Sequence, residues 1–149
     1  MSGLHVSLSS DGNILAVSAR LNDDNGSNSG HVRVFNFDGS SWSQLGQDIN
    51  GEAADDQFGT DISMSSDGTI IAIGAYLNNG NGSNSGHVRV FEFTNGSWIQ
   101  LGLDIDGEDS GDQSGGYLSL NSEGNIVAIG APGNDNNGSN SGHVRVFEF

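Results

Sequence analysis

The sequence has no cysteine, no lysine and one proline. No apolar run approaches the ~20 residues that a membrane-spanning helix needs. Each absence excludes something. Without cysteine there are no disulfides and no thiolate metal sites. Without lysine, Arg20, Arg33, Arg89 and Arg145 are the only permanent side-chain cations, in a chain of net charge −15. Phosphate backbones and anionic lipid surfaces are held by clustered Lys and Arg, so neither nucleic acid nor a membrane is an expected partner. The opening MSGLHVSLSS lacks both a basic start and an apolar core, so it does not read as a signal peptide. The chain is therefore expected to be intracellular, part of a longer precursor, or without its leader.

What is abundant is glycine, 24 of 149 residues, in a chain only 34% hydrophobic, which points to many short elements joined by turns. The eleven residues NGSNSGHVRVF begin at Asn25, at Asn81 and at Asn137, 56 residues apart each time (81 − 25 and 137 − 81). A period of this length marks copies of one supersecondary unit. We expect a single domain over 1–149 with repeats of approximately 1–56, 57–112 and 113–149.

Within each copy, short segments rich in β-branched residues alternate with turn residues. An A segment (5–12, 61–68, 117–124) is followed by a B segment (13–19, 69–75, 125–131) and a C segment (31–37, 87–93, 143–149). A D segment follows in the first two copies only (42–49, 98–105). Asp11-Gly12, Asp67-Gly68, Asp38-Gly39 and Asn95-Gly96 suit tight hairpins because both residue types accept positive φ. The unit reads as a four-stranded antiparallel meander. Along B, Ile71 and Ile73 share one face while Ala72 and Gly74 share the other, so both faces are apolar and both are expected to be covered. Bulky face on small-residue face is the stacking of a β-propeller. The expected fold is all-β: propeller-type blades, about three meanders and eleven strands, the last blade lacking its outer strand.

Phe58-Gly59 followed by Ile73-Gly74-Ala75, and Gly130-Ala131-Pro132 in the third copy, resemble the FG-GAP repeat. That repeat builds the propeller heads of integrin α subunits and of many microbial surface proteins. The resemblance implies a propeller, a role in adhesion, and an extracellular or cell-surface location. The family's calcium loop lies between its two signature words. Here that place holds SMSSDGTI (63–70) with one carboxylate, where calcium wants about six to eight oxygens, so the site is not carried over.

Other candidate sites come from the residues themselves. The B–C loop reads NDDNGSNSG, NNGNGSNSG and NDNNGSNSG in the three copies, and Asp23, Asp24 and Asp135 are its candidate weak calcium ligands. The alternative is a solvated loop whose Asn and Gly residues supply turn geometry. The D–A link carries Glu52, Asp55, Asp56, Glu108, Asp109 and Asp112, expected to form a solvated acidic rim, with a weak cation site as the alternative. The sequons at Asn25, Asn81, Asn95 and Asn137 are read as turns before they are read as glycan acceptors.

On the C segments, His31, His87 and His143 share a face with Arg33, Arg89 and Arg145. Histidines one blade apart are separated by ~10 Å, too far to share an ion. They are expected to be structural. Each Arg pairs with a carboxylate or carbonyl, each His hydrogen-bonds at the strand start, and the column fastens blade to blade.

The functional reading is a non-enzymatic interaction or structural repeat module that binds protein or glycan through its loops, with no cofactor. The alternatives are a calcium-dependent adhesive element and a glycoside-acting enzyme. Partners are expected to be a second copy or further blades of a longer chain. Two three-bladed fans joined end to end would bury roughly 1,400 Å² in two seams and close a six-bladed ring.

Overall fold

The structure, a computed structural model, describes residues 2–149. Those residues form strands and turns and no helix. The first sheet comprises β1 (Val6–Leu8), β2 (Ile14–Ala19), β3 (His31–Phe37), β4 (Trp42–Gln44) and β5 (Ile49–Asn50). The second comprises β6 (Ile62–Met64), β7 (Ile70–Ala75), β8 (His87–Thr94) and β9 (Ser97–Asp106). The third comprises β10 (Tyr117–Leu120), β11 (Ile126–Ala131) and β12 (His143–Glu148). Neighbouring strands are antiparallel and follow chain order, so each sheet is a meander and the protein is a stack of propeller-type blades.

The register explains the stacking. Ile71 pairs with Phe91, Ile73 with Arg89 and Ala75 with His87, which makes one bulky face. Ala72 pairs with Val90 and Gly74 with Val88, which makes the small face. The bulky face of blade 2 packs on Ala16, Val32 and Val34 of blade 1, with Phe58 and Trp98 in the same cluster. The small face of blade 2 receives Leu120, Val127 and Ile129 of blade 3. At the inner edge, short polar bonds join the blades. Ser10 N–H donates to the Ser66 carbonyl, and Ser66 N–H to that of Ser122. The Leu118 and Leu120 amides donate to Asp61 Oδ2 and Ser63 Oγ at 2.8 and 3.0 Å.

One expected strand is broken. The D segment of blade 1 splits into β4 and β5, which gives twelve strands instead of eleven. Gly46 sits between them at φ +75°, and its counterpart Gly102 in β9 is at +68°, where the ladder with β8 shifts register between Val88 and Val90. Both are bulges with glycine in the left-handed region. In blade 1 the bulged segment is the seat of Trp98 from the next blade. The indole N–H donates to the Leu45 carbonyl at 2.9 Å, and the Gln47 side chain takes and gives a bond to the Trp98 backbone.

Candidate functional site

The chemistry-bearing side chains gather where the starts of the C strands meet D strands and D–A links, at the two internal seams and on the open face of blade 1. Arg89 is the centre of the first seam. Its register on β8 points it across to blade 1, where it donates to the Asn50 carbonyl (2.8 Å) and to Glu52 (3.2 Å). Its guanidinium lies 4.3 Å from the Phe58 ring centroid and 5.4 Å from that of Phe91, and the two rings meet edge to face. Burial pulls its pKa below the usual range against the opposing pull of Glu52, Asp104 and Asp56. Arg145 repeats the arrangement on blade 3, reaching the Asp106 carbonyl and Glu108 of blade 2, but Ser114 stands where Phe58 stands in the first seam. Arg33, on the outermost face of blade 1, turns to its own blade instead. It makes a bidentate pair with Asp48 at 2.7–3.0 Å, which raises its pKa and lowers that of Asp48.

The strand-start histidines correct one expectation. His31 Nδ1, His87 Nε2 and His143 Nε2 are buried without the hydrogen bond expected of them. Carboxylates stand nearby instead, at distances too long for a hydrogen bond. His31 Nδ1 is 3.5 Å from Asp24 and 3.8 Å from Asp48, His87 Nδ1 is 3.7 Å from Asp104, and His143 Nε2 is 3.6 Å from Glu108. Three His–carboxylate clusters result: Asp24, His31 and Asp48; Glu52, His87 and Asp104; Glu108, Asp112 and His143. Burial, and then the neighbouring Arg89, push the His87 pKa below its usual 6.5, partly opposed by Asp104, Glu52 and Asp56.

The acidic rim is not a rim throughout. Asp56 and Asp112 are buried and accept from the side-chain amides of Asn78 and Asn134. They tie the D–A link to the B–C loop. The loop asparagines do the same from the other side: Asn25 and Asn81 each donate to two D–A carbonyls, at Gly51 and Glu52 and at Gly107 and Glu108. Both sequon amides are thus engaged in packing.

Of the calcium candidates, Asp23 and Asp135 accept the Asn28 and Asn140 amides, and Asn79 does the same for Asn84 in the middle copy. A neutral residue performs the same turn closure, so that role does not require the charge. Asp24 departs from its loop-mates by facing His31. Asp67, the acid of the second A–B hairpin, is occupied by Ser65 and Thr69, and these bonds lower its pKa.

A second concave site lies near the inner edge, a cleft of about 270 Å³ lined by residues that include His5, Arg20, Thr60, Tyr76, Gln113 and Tyr117. Among the described residues Arg20 makes no hydrogen bond or ion pair.

Residues 50–91 match the family model of the FG-GAP repeat. The matched span includes Glu52, Phe58, Gly59 and Arg89, the blade 2 half of the first seam and the link leading into it. Over that span the chain is therefore similar to the FG-GAP repeat, a β-propeller repeat. No curated protein matches the chain at significance.

Proposed function

We propose that this protein is a non-enzymatic interaction and structural module whose two open blade faces each take another blade of the same repeat, supplied in the isolated chain by a second copy. The observation that carries this reading is the match between the faces. Both internal seams set a bulky face on a small one. Blade 1 leaves its bulky face open, with Val6, Leu8 and Trp42 exposed, and blade 3 leaves its small face open, with Tyr117, Val144 and Val146 exposed. The two open faces are the two halves of a third seam. Two copies joined head to tail would close a ring and bury roughly 1,400 Å², the size of a standard interface. Where β12 has no D strand beside it, as among the described residues, the new seam would lack the outer contacts that Leu45 and Gln47 supply to Trp98. A seam without those contacts would be weaker than the internal ones.

The test is sedimentation velocity over a range of concentrations. A concentration-dependent dimer that disappears in Val6→Lys and in Val144→Lys supports the reading. A monomer at every concentration contradicts it.

The cleft beside Tyr76 and Tyr117 favours a ligand role for the inner edge. At about 270 Å³ it falls just under the ~300–1,000 Å³ of ordinary ligand pockets, which suits one sugar ring or one side chain. The unengaged Arg20 favours an anionic group. A glycan array on which binding is lost by Tyr76→Ala and Arg20→Gln supports this, and an array without binding sugars contradicts the glycan form of it.

A further inference from the structure

We propose that Asp24, His31 and Asp48 form a binding site for a divalent transition metal of the zinc type. The imidazole of His31 is 95% buried (side-chain exposure 5%), and its Nδ1 has no hydrogen-bond partner. That nitrogen faces both carboxylates, 3.5 Å from Asp24 Oδ2 and 3.8 Å from Asp48 Oδ2, and one ligand atom from each of the three residues lies within 4.8 Å of the others. A hydrogen bond would draw N and O to about 2.7–3.2 Å. Ligands bonded at about 2.0–2.2 Å around a tetrahedral ion stand about 3.4 Å apart, close to the spacings here. The nitrogen decides the class of metal. Calcium takes oxygen ligands, about six to eight of them, whereas imidazole with carboxylate suits zinc and its neighbours.

The surroundings agree with a dication. A cleft of about 390 Å³ lined by Asn22, Asp23, Asp24, His31 and Arg33 leads to the group and leaves room for a water or an exogenous ligand to complete the coordination. Asp23, Asp24 and Asp48, less the Arg33 guanidinium, carry two formal negative charges, enough to match the ion. Arg33 donates to both Asp48 oxygens, including the Oδ2 that faces His31, and Gln44 donates to Oδ1; these bonds orient the carboxylate, as outer partners of a metal-bound carboxylate do. The two other His–carboxylate clusters are less apt. The unpartnered nitrogen of His87 is Nε2, whereas it is Nδ1 that faces Asp104, and His143 is about a quarter exposed.

The experiment is a titration of the EDTA-stripped chain with zinc chloride, followed by calorimetry and by histidine-selective nitrogen NMR. One equivalent is expected to shift the His31 Nδ1 resonance and leave those of His5, His87 and His143 in place. His31→Gln and Asp24→Asn should each weaken zinc affinity by about 10–100-fold or more. Asp24 is more than half exposed, so Asp24→Asn should melt like the parent in EDTA and separates lost ligation from lost fold. Zinc binding unchanged in Asp24→Asn, binding centred on His5, His87 or His143, or calcium taken in preference to zinc would each overturn the assignment. So would the absence of any heat or shift.

Discussion

Arg89 and Arg145 occupy the same place in the repeat but not the same environment. The Arg89 side chain is 8% exposed and is stacked on Phe58, whereas that of Arg145 is 22% exposed with serine at the matching position. Removing one partner of a fully buried pair costs about 3–5 kcal/mol. Glu52 is about half exposed and recovers part of its hydration, so Arg89→Ala should cost about 2–4 kcal/mol in urea unfolding. Arg145→Ala should cost about 1 kcal/mol or less. Arg145 keeps an aromatic contact with Phe147 at 5.2 Å, so equal costs would mean that the added Phe58 ring contributes nothing. His87 supplies the pH dependence at this scale. Its folded pKa lies below its unfolded 6.5, so the unfolded chain binds the proton more tightly. The stability it contributes is fully present above pH 6.5 and is lost as pH falls through the depressed folded value. In a pH series of urea midpoints, His87→Gln should flatten the decline below 6.5. An unchanged slope would assign the decline to other groups.

At the scale of elements, the repeated loop shows why identical letters need not have identical tolerance. Gly30 and Gly86 open the C strands of blades 1 and 2 at φ +81° and +75°, and a Cβ on either would overlap the carbonyl of Phe58 or of Ser114. Gly142 has a similar φ of +66° but no atom closer than 3.5 Å to the same position. Gly142→Ala should cost about 1–2 kcal/mol, the left-handed penalty alone. Gly30→Ala and Gly86→Ala should cost about 2–5 kcal/mol, because backbone must also move. Thermal melts of the three variants check the ranking.

Strands A, B and C were legible in the sequence because alternation, β-branching and flanking turn residues all agreed locally. The break in the first D segment was not: Gly46 and Gly102 carry the same left-handed bulge, but only at Gly46, where Trp98 of another blade packs against it, is the strand interrupted. The buried state of Asp56 and Asp112 was hidden for the same reason. Their partners Asn78 and Asn134 are close only after the meander has folded. One signal of the histidine clusters was present in the repeat: Asp48 follows His31 at the offset at which Asp104 follows His87.

For the whole molecule, Trp42 and Trp98 report on the open face. They are equivalent in the repeat, yet Trp98 is 3% exposed under the neighbouring blade and Trp42 is 45% exposed. Covering the blade 1 face should shift Trp42 emission to the blue as concentration rises. Each copy carries a net charge of −15, so association should strengthen with salt as repulsion is screened. Emission independent of both concentration and salt would leave the face uncovered.

The most direct measurement uses the absence of native cysteine. At the internal seam, Leu120 donates its amide to Ser63 Oγ. The repeat places Leu8 and Ser119 in the same relation across two copies. Leu8→Cys and Ser119→Cys chains, oxidised separately and as a mixture, are compared on a non-reducing gel. The matched-face account predicts a cross-linked dimer in the mixture and little in either chain alone. Equal cross-linking in the separate chains, or none in the mixture, would contradict it.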